Sequence, residues 1–231
     1  MSDAGMTQGV VSLEIECEHD RGPVSSLLVS PPRPRALFVF GHGAGAGMRH
    51  SLMEAVASRL RDRGVATLRY QFPYMEAGRR APDPRPVLVE TVRAAVREAA
   101  NRHPDLPLVA GGKSMGGRMT STAAAEAPLP GVRGLAFFGF PLHAAGRDGA
   151  ERGAHLSEVG LPMLFLQGTR DRLANLELLR PLLEGIEPRP VLQVIEGADH
   201  GFHVLKRSGR TDAEVLEEAC GHFSDWIDAL D

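Results

Sequence analysis

The sequence predicts an α/β fold, with a mostly parallel eight-stranded sheet, an antiparallel opening hairpin and helices on both faces. Three observations predict it. Strand-like and helix-like segments alternate over most of the 231 residues, as in parallel sheets whose crossovers are helices. The first two strand-like runs are joined instead by the turn-prone stretch EHDRGP, which suggests a hairpin. The later strands are short apolar runs bounded by glycine, as expected where both faces of a sheet are covered.

In chain order, VVSLEIE (Val10–Glu16) and VSSLLVS (Val24–Ser30) form the hairpin, and ALFVF (Ala36–Phe40) is the third strand. SLMEAVASRLRDRG reads as a helix, with a Ser51/Glu54 capping box, Met53, Val56, Ala57 and Leu60 on one face, and Gly64 as its stop. ATLRY (Ala66–Tyr70) is the next strand, and the proline- and arginine-rich loop QFPYMEAGRRAPDPRP follows it. A helix from about Val87 to Asn101 carries Leu88, Val92, Ala95 and Ala99 on one stripe. LVAGG (Leu108–Gly112) is a strand, and MGGRMTSTAAAEA a helix of small residues shortly after it. GLAFFGF (Gly134–Phe140), MLFLQG (Met163–Gly168) and VLQVIEG (Val191–Gly197) complete the strands, with a short helical piece at Leu176–Leu183 between the last two. The final helix, from about Asp212 to Leu230, opens on a Thr211/Glu214 capping box and aligns Val215, Ala219, Phe223, Trp226 and Leu230. With no repeat, low-complexity tract or linker, a single domain is expected over residues 1–231, with residues 1–9 flexible.

Composition excludes several classes of function. A formal net charge of -3 and a pI near 6.3 provide no basic field for nucleic acid or anionic lipid. The N-terminus MSDAGMTQGV lacks the pattern of a signal peptide, and no apolar run approaches the roughly 20 residues that span a bilayer. Cys17 and Cys220 lie near opposite ends of the chain, and Cys220, on the apolar face of the final helix, is expected to be a reduced, buried thiol. The expectation is a soluble, cytoplasmic protein with neither nucleic-acid nor membrane partners. The only lysines are Lys113 and Lys206, an arginine bias read first as base composition of the coding DNA.

The chemistry centres on AGGKSMGGRM (Ala110–Met119). GGKS resembles the end of a phosphate-binding loop, but that motif needs a glycine five places before Gly112, where Pro107 stands, and strand-like residues fill the gap. GKSMG instead fits the G-x-S-x-G turn between a strand and a helix, which raises a serine hydroxyl above the sheet edge. Ser114 is then a nucleophile, and it needs a base and an acid to orient that base. MLFLQGTRD supplies Asp171 just past one strand, and VIEGADHGF supplies His200 just past the next. GHGAGAGM, after Ala36–Phe40, offers backbone N–H groups at Gly43 and Ala44 to act with that of Met115 as an oxyanion hole.

The segments HGAGAG, GKSMGG, GTRD and ADHGF together resemble the α/β-hydrolase superfamily, in its small dienelactone-hydrolase-like branch. FGHGAGAGMRHSLM, YQFPYMEAGRRAPDP, GFPLH and LQGTRD further resemble a group of small hydrolase-like proteins. That group includes bacterial members and relatives of a testis-expressed protein and of a subunit of a chromatin (NSL) complex. The similarity runs from about Ala36 to Phe202. It implies the α/β-hydrolase fold and the triad Ser114, Asp171 and His200, and it implies no substrate. The loop HGAGAG differs from the HGGG of many lipases and esterases.

Plainer readings stand beside these. Asp199 is an alternative acid, but adjacency to His200 places it poorly for reaching that ring. His200, His203 and Asp199 lack a further ligand at metal-binding spacing. His42 reads as a brace for the oxyanion loop, and Lys113 is expected to point to solvent or a neighbouring loop rather than form a Ser-Lys dyad. Arg79 and Arg80 either contact an anionic part of a substrate or pair with Glu76, Asp83 or the 141–160 loop. That last loop is too short for a cap domain, so no lid is expected. The favoured expectation is a serine hydrolase of a small or water-soluble carboxylic ester or thioester, acting through an acyl-enzyme on Ser114 without metal or organic cofactor. The alternative is a non-catalytic binding or scaffold module that keeps the hydrolase frame.

Overall fold

The opening hairpin pairs strand β1 (Val10–Ile15) with β2 (Val24–Val29) antiparallel, Val10 opposite Val29 and Ile15 opposite Val24. This is seen in a computed structural model that describes residues 9–230, so the expectation of a flexible 1–9 falls, but for Gly9, outside the described residues. The remaining strands are β3 (Ala36–Gly41), β4 (Val65–Tyr70), β5 (Leu108–Lys113), β6 (Val132–Phe138), β7 (Met163–Gly168) and β8 (Val191–Ile195). They form one eight-stranded sheet in the order β1-β2-β4-β3-β5-β6-β7-β8. β2 meets β4 antiparallel, and every pairing from β4 to β8 is parallel. From β3 the chain steps to β4 on one side and later returns to β5 on the other. That reversal opens a crevice beyond the carboxyl ends of β3 and β5, where sheets of this kind place ligands.

Among the described residues six α-helices accompany the sheet: α1 (Ser51–Asp62), α2 (Pro73–Glu76), α3 (Arg85–Arg102), α4 (Met115–Glu126), α5 (Leu176–Glu184) and α6 (Asp212–Asp228). Period-two alternation along the strands decides which helices each face receives. Leu37, Val39, Ala110, Leu135, Phe137 and Phe165 share a core with buried residues of α3, α4 and α5. Phe38, Phe40, Val109, Phe138, Leu164 and Leu166 share the other with α1 and α6. In that second core the Phe223 ring of α6 lies 4.7 Å from Phe38 and 5.9 Å from Phe138.

Some local expectations need correction. The cap of α1 is His50, whose ring Nδ1 accepts the Leu52 N–H at 3.3 Å, and Ser51 is already helical, so the Ser51/Glu54 box does not form. The Thr211/Glu214 box does form on α6, which ends at Asp228, short of Leu230. The stretch read as loop after β4 contains α2, started by Pro73 at its first position, where a missing N–H is no loss. Between β6 and β7 lies a 3₁₀ segment, Glu151–Glu158, and no cap domain. Among the described residues no helix is long and apolar enough to cross a membrane.

Candidate active site

Ser114 stands between β5 and α4 with φ 51° and ψ -115°, a positive φ that a non-glycine residue adopts only when its surroundings enforce it. The enforcement comes from packing. A Cβ built on Gly116 would lie 2.3 Å from the Gly41 carbonyl oxygen, and one on Gly112 would lie 2.5 Å from Gly117 N. The first turn of α4 therefore presses backbone to backbone against the end of β3. Turning the chain that sharply lifts the serine hydroxyl off the sheet edge.

Two other strand ends bring partners to it. His200, in the loop after β8, has Nε2 2.8 Å from Ser114 Oγ and Nδ1 2.7 Å from Asp171 Oδ2. Asp171, in the loop after β7, has no side-chain exposure, and its other oxygen accepts the Leu173 N–H at 2.8 Å. An ionised carboxylate only accepts, so Nδ1 carries the proton toward Asp171 and Nε2 is left to accept from the serine hydroxyl. Asp199 is occupied otherwise, accepting the Gly201 and His203 N–H groups and shaping the loop that presents His200.

Gly43 and Ala44 line the same cleft as Ser114, and Met115, the first residue of α4, has no acceptor a turn back for its N–H. The loop that carries Gly43 is braced from below. His42 Nε2 accepts the Phe72 N–H at 3.1 Å, so its proton sits on Nδ1 and is donated to Gly43 O at 2.8 Å. Burial pushes this imidazole down to about 4, which keeps it neutral. The Tyr74 hydroxyl accepts the Gly45 N–H at 2.9 Å, and Gln71 Oε1 accepts that of Met48 at 2.8 Å.

Lys113 does not point to solvent. Its residue is 8% exposed, and its Nζ is buried without a hydrogen-bond partner among the described residues. A Cβ built on Gly139 would meet Lys113 Nζ at 3.2 Å and His200 Nδ1 at 3.4 Å, so the ammonium lies behind the triad. Arg79 donates to the buried Asp83 at 2.5 Å, one of the pairings read from sequence, and neither it nor Arg80 lines the cleft at Ser114. Gln167 was not singled out from sequence, yet it bridges Phe140 N–H and Asp171 Oδ2, at 2.9 and 2.5 Å. A lone amide ending the apolar run MLFLQ was the available signal. Ser114 and His200 open on a cleft of about 580 Å³ between the N-terminal turns of α1 and α6.

Residues 34–228 match a family described as an alpha/beta hydrolase domain. A Mycobacterium tuberculosis (strain ATCC 25618 / H37Rv) protein named "Putative phosphoribosyl transferase Rv0571c" is 31% identical over 210 residues, covering 89% of this chain and 44% of that protein. The chain thus spans less than half of that relative. Among solved structures, a dienelactone hydrolase from Anabaena variabilis superposes with a TM-score of 0.75 at 20% identity, over 96% of this chain and 97% of that one. An alpha-beta serine hydrolase homologue from Coxiella burnetii gives 0.75 at 19% identity, over 94% and 98%. A Xanthomonas campestris serine hydrolase described as without lid gives 0.69 at 21%, over 93% and 95%.

Proposed function

The chain belongs to the α/β-hydrolase family, and from that premise we propose that it is a serine hydrolase of carboxylic esters or thioesters. One observation carries the reading: a single imidazole spans Ser114 Oγ and the buried Asp171 carboxylate at hydrogen-bond distance on both sides. In this reading His200 Nε2 takes the Ser114 proton as Oγ attacks the substrate carbonyl carbon. The negative charge that develops on the carbonyl oxygen meets the N–H groups of Gly43, Ala44 and Met115. Collapse expels the alcohol or thiol with the proton from His200 and leaves an acyl group on Ser114. Water then attacks the acyl carbon, losing a proton to His200, which returns it to Ser114 Oγ as the acyl–oxygen bond breaks and the acid leaves. Asp171 holds the ring in one tautomer and offsets the imidazolium charge throughout.

The transferase name of the mycobacterial relative belongs to a protein of which this chain spans 44%, and the serine–histidine–aspartate arrangement calls for acyl transfer instead. The test is labelling with a fluorophosphonate at neutral pH, followed by peptide mapping and by hydrolysis of an activated acetyl ester. Modification of Ser114, with both labelling and turnover lost in Ser114→Ala, is expected. A folded protein that leaves Ser114 unlabelled would transfer the case to the scaffold reading.

A further inference from the structure

The lining of the cleft speaks to what the substrate carries. From Ser114 and His200 it runs between α1 and α6, and its walls are Leu52, Met53, Leu173, Phe202 and Leu216. Met53, Phe202 and Leu216 belong to the core shared by α1, α6 and the sheet, with exposures of 1%, 1% and 9%. These walls are therefore held by packing and do not await a ligand to form. The charged or titratable groups of the lining are few: Lys113, His50, His200, His203 and Asp212. Lys113 Nζ is enclosed in protein. His50 Nδ1 accepts from Leu52 N, and His200 belongs to the triad. His203 Nδ1 contacts Asp212 Oδ2 at 2.6 Å, both side chains being solvent-facing at 70% and 49% exposure, so any positive charge on His203 is matched by a carboxylate at the outer rim. An anionic substrate arm finds no solvent-accessible unmatched cation in this lining.

We infer that the cleft between α1 and α6 is a specificity pocket for an uncharged, apolar arm of the substrate, joined to the carbonyl that Ser114 attacks. The inference rests on the hydrolase reading and narrows its substrate class. Allowing roughly 30 Å³ for each methylene-sized group and filling of about two-thirds for an open cleft, about 580 Å³ takes roughly a dozen such groups, the reacting ester and an arm of about eight carbons. It does not accommodate a long lipid chain. The arm can belong to the acyl group or to the alcohol, since both leave the same reacting carbon.

Two ester series separate these sources: p-nitrophenyl esters of acyl groups from acetyl to decanoyl, and acetate esters of alcohols of the same lengths. In one series kcat/KM should climb by about fourfold per methylene, then level near the octanoyl or octyl member. The series that climbs identifies the arm. Leu216→Trp should lower the octanoyl-to-acetyl or octyl-to-ethyl ratio at least tenfold, whereas a neutral ester should outperform its isosteric carboxylate-bearing analogue. Flat profiles in both series, or a preference for the carboxylate, overturn the pocket assignment while leaving the hydrolase reading in place. Absence of turnover on every ester, with Ser114 unlabelled, removes the hydrolase reading and this inference together.

Discussion

At Lys113 an ammonium is enclosed one residue before Ser114, in a chain that otherwise uses lysine only at Lys206. Burial pushes it down from 10.5 to about 8, against the pull of Asp171 and Asp199. Below pH 8 both folded and unfolded chains hold the proton, and the folded one bears the full cost of enclosing the charge. Between about 8 and 10.5 the folded lysine is neutral while the unfolded one is still protonated, so the cost is relieved as pH rises. Lys113→Met should therefore stabilise the protein near pH 7 by about 2–3 kcal/mol, with the gain shrinking toward pH 10.5. Urea titrations at pH 7 and pH 10 measure it. A variant no more stable than the parent at pH 7 would show that the ammonium is compensated after all. The sequence reading left this side chain to solvent or a neighbouring loop, since lysines mostly lie at the surface, and it is the loop after β6 that it meets. Its enclosure depends on Gly139 and His200, which come from other strands.

Among the elements, α4 and α6 put the same residue type to opposite uses. Glycine inside a helix normally costs up to about 1 kcal/mol relative to alanine. At Gly221 in α6 a Cβ would meet nothing within 4 Å, so Gly221→Ala should raise stability by about 0.5–1 kcal/mol. At Gly116 in α4 it would strike backbone atoms of Gly41 at 2.3 and 2.4 Å, which no side-chain rotation relieves. Gly116→Ala should cost about 3 kcal/mol or more, or yield no soluble protein. Thermal melts of the two variants should move in opposite directions, and a higher Tm for Gly116→Ala would contradict the close approach of α4 to β3. The glycine-flanked elbow was legible in the sequence because G-x-S-x-G followed an apolar strand. The cap of α1 was misread because Ser51 and Glu54 have the right spacing, while the chain begins its helix one residue earlier.

The whole molecule has two cores separated by the sheet, and α6 closes the one beneath the cleft. Its Phe223 ring packs against Phe38 and Phe138 from the middle of the sheet and lies 6.4 Å from Trp226. Phe223→Ala should destabilise the fold by about 3–5 kcal/mol. Trp226 is the sole tryptophan and reports on this core alone, so its fluorescence and the far-UV dichroism of all the helices can be compared in one denaturation. Coincident midpoints are expected in parent and variant. A tryptophan transition that runs ahead of the dichroism would mean that α6 leaves before the sheet opens. Such early release would also loosen Leu216, and with it one wall of the cleft.

Local pattern was enough for the α/β class, the order of its strands and longer helices, and the placing of Ser114, Asp171 and His200 at three strand ends. Each of those signals is contained within about ten residues: a hydrophobic period, a turn, a cap or a glycine-flanked serine. Distances between strand ends are not contained that way. β5, β7 and β8 converge on one imidazole only after the sheet has ordered them, and that ordering brought His200 within 2.8 Å of Ser114, 86 positions apart in the chain. The same packing enclosed Lys113, brought the Phe140 N–H to Gln167 and built a cleft from helices at opposite ends of the sequence. Tertiary structure alone decided these matters, because enclosure and contact depend on neighbours distant in the chain, whose presence no local pattern encodes.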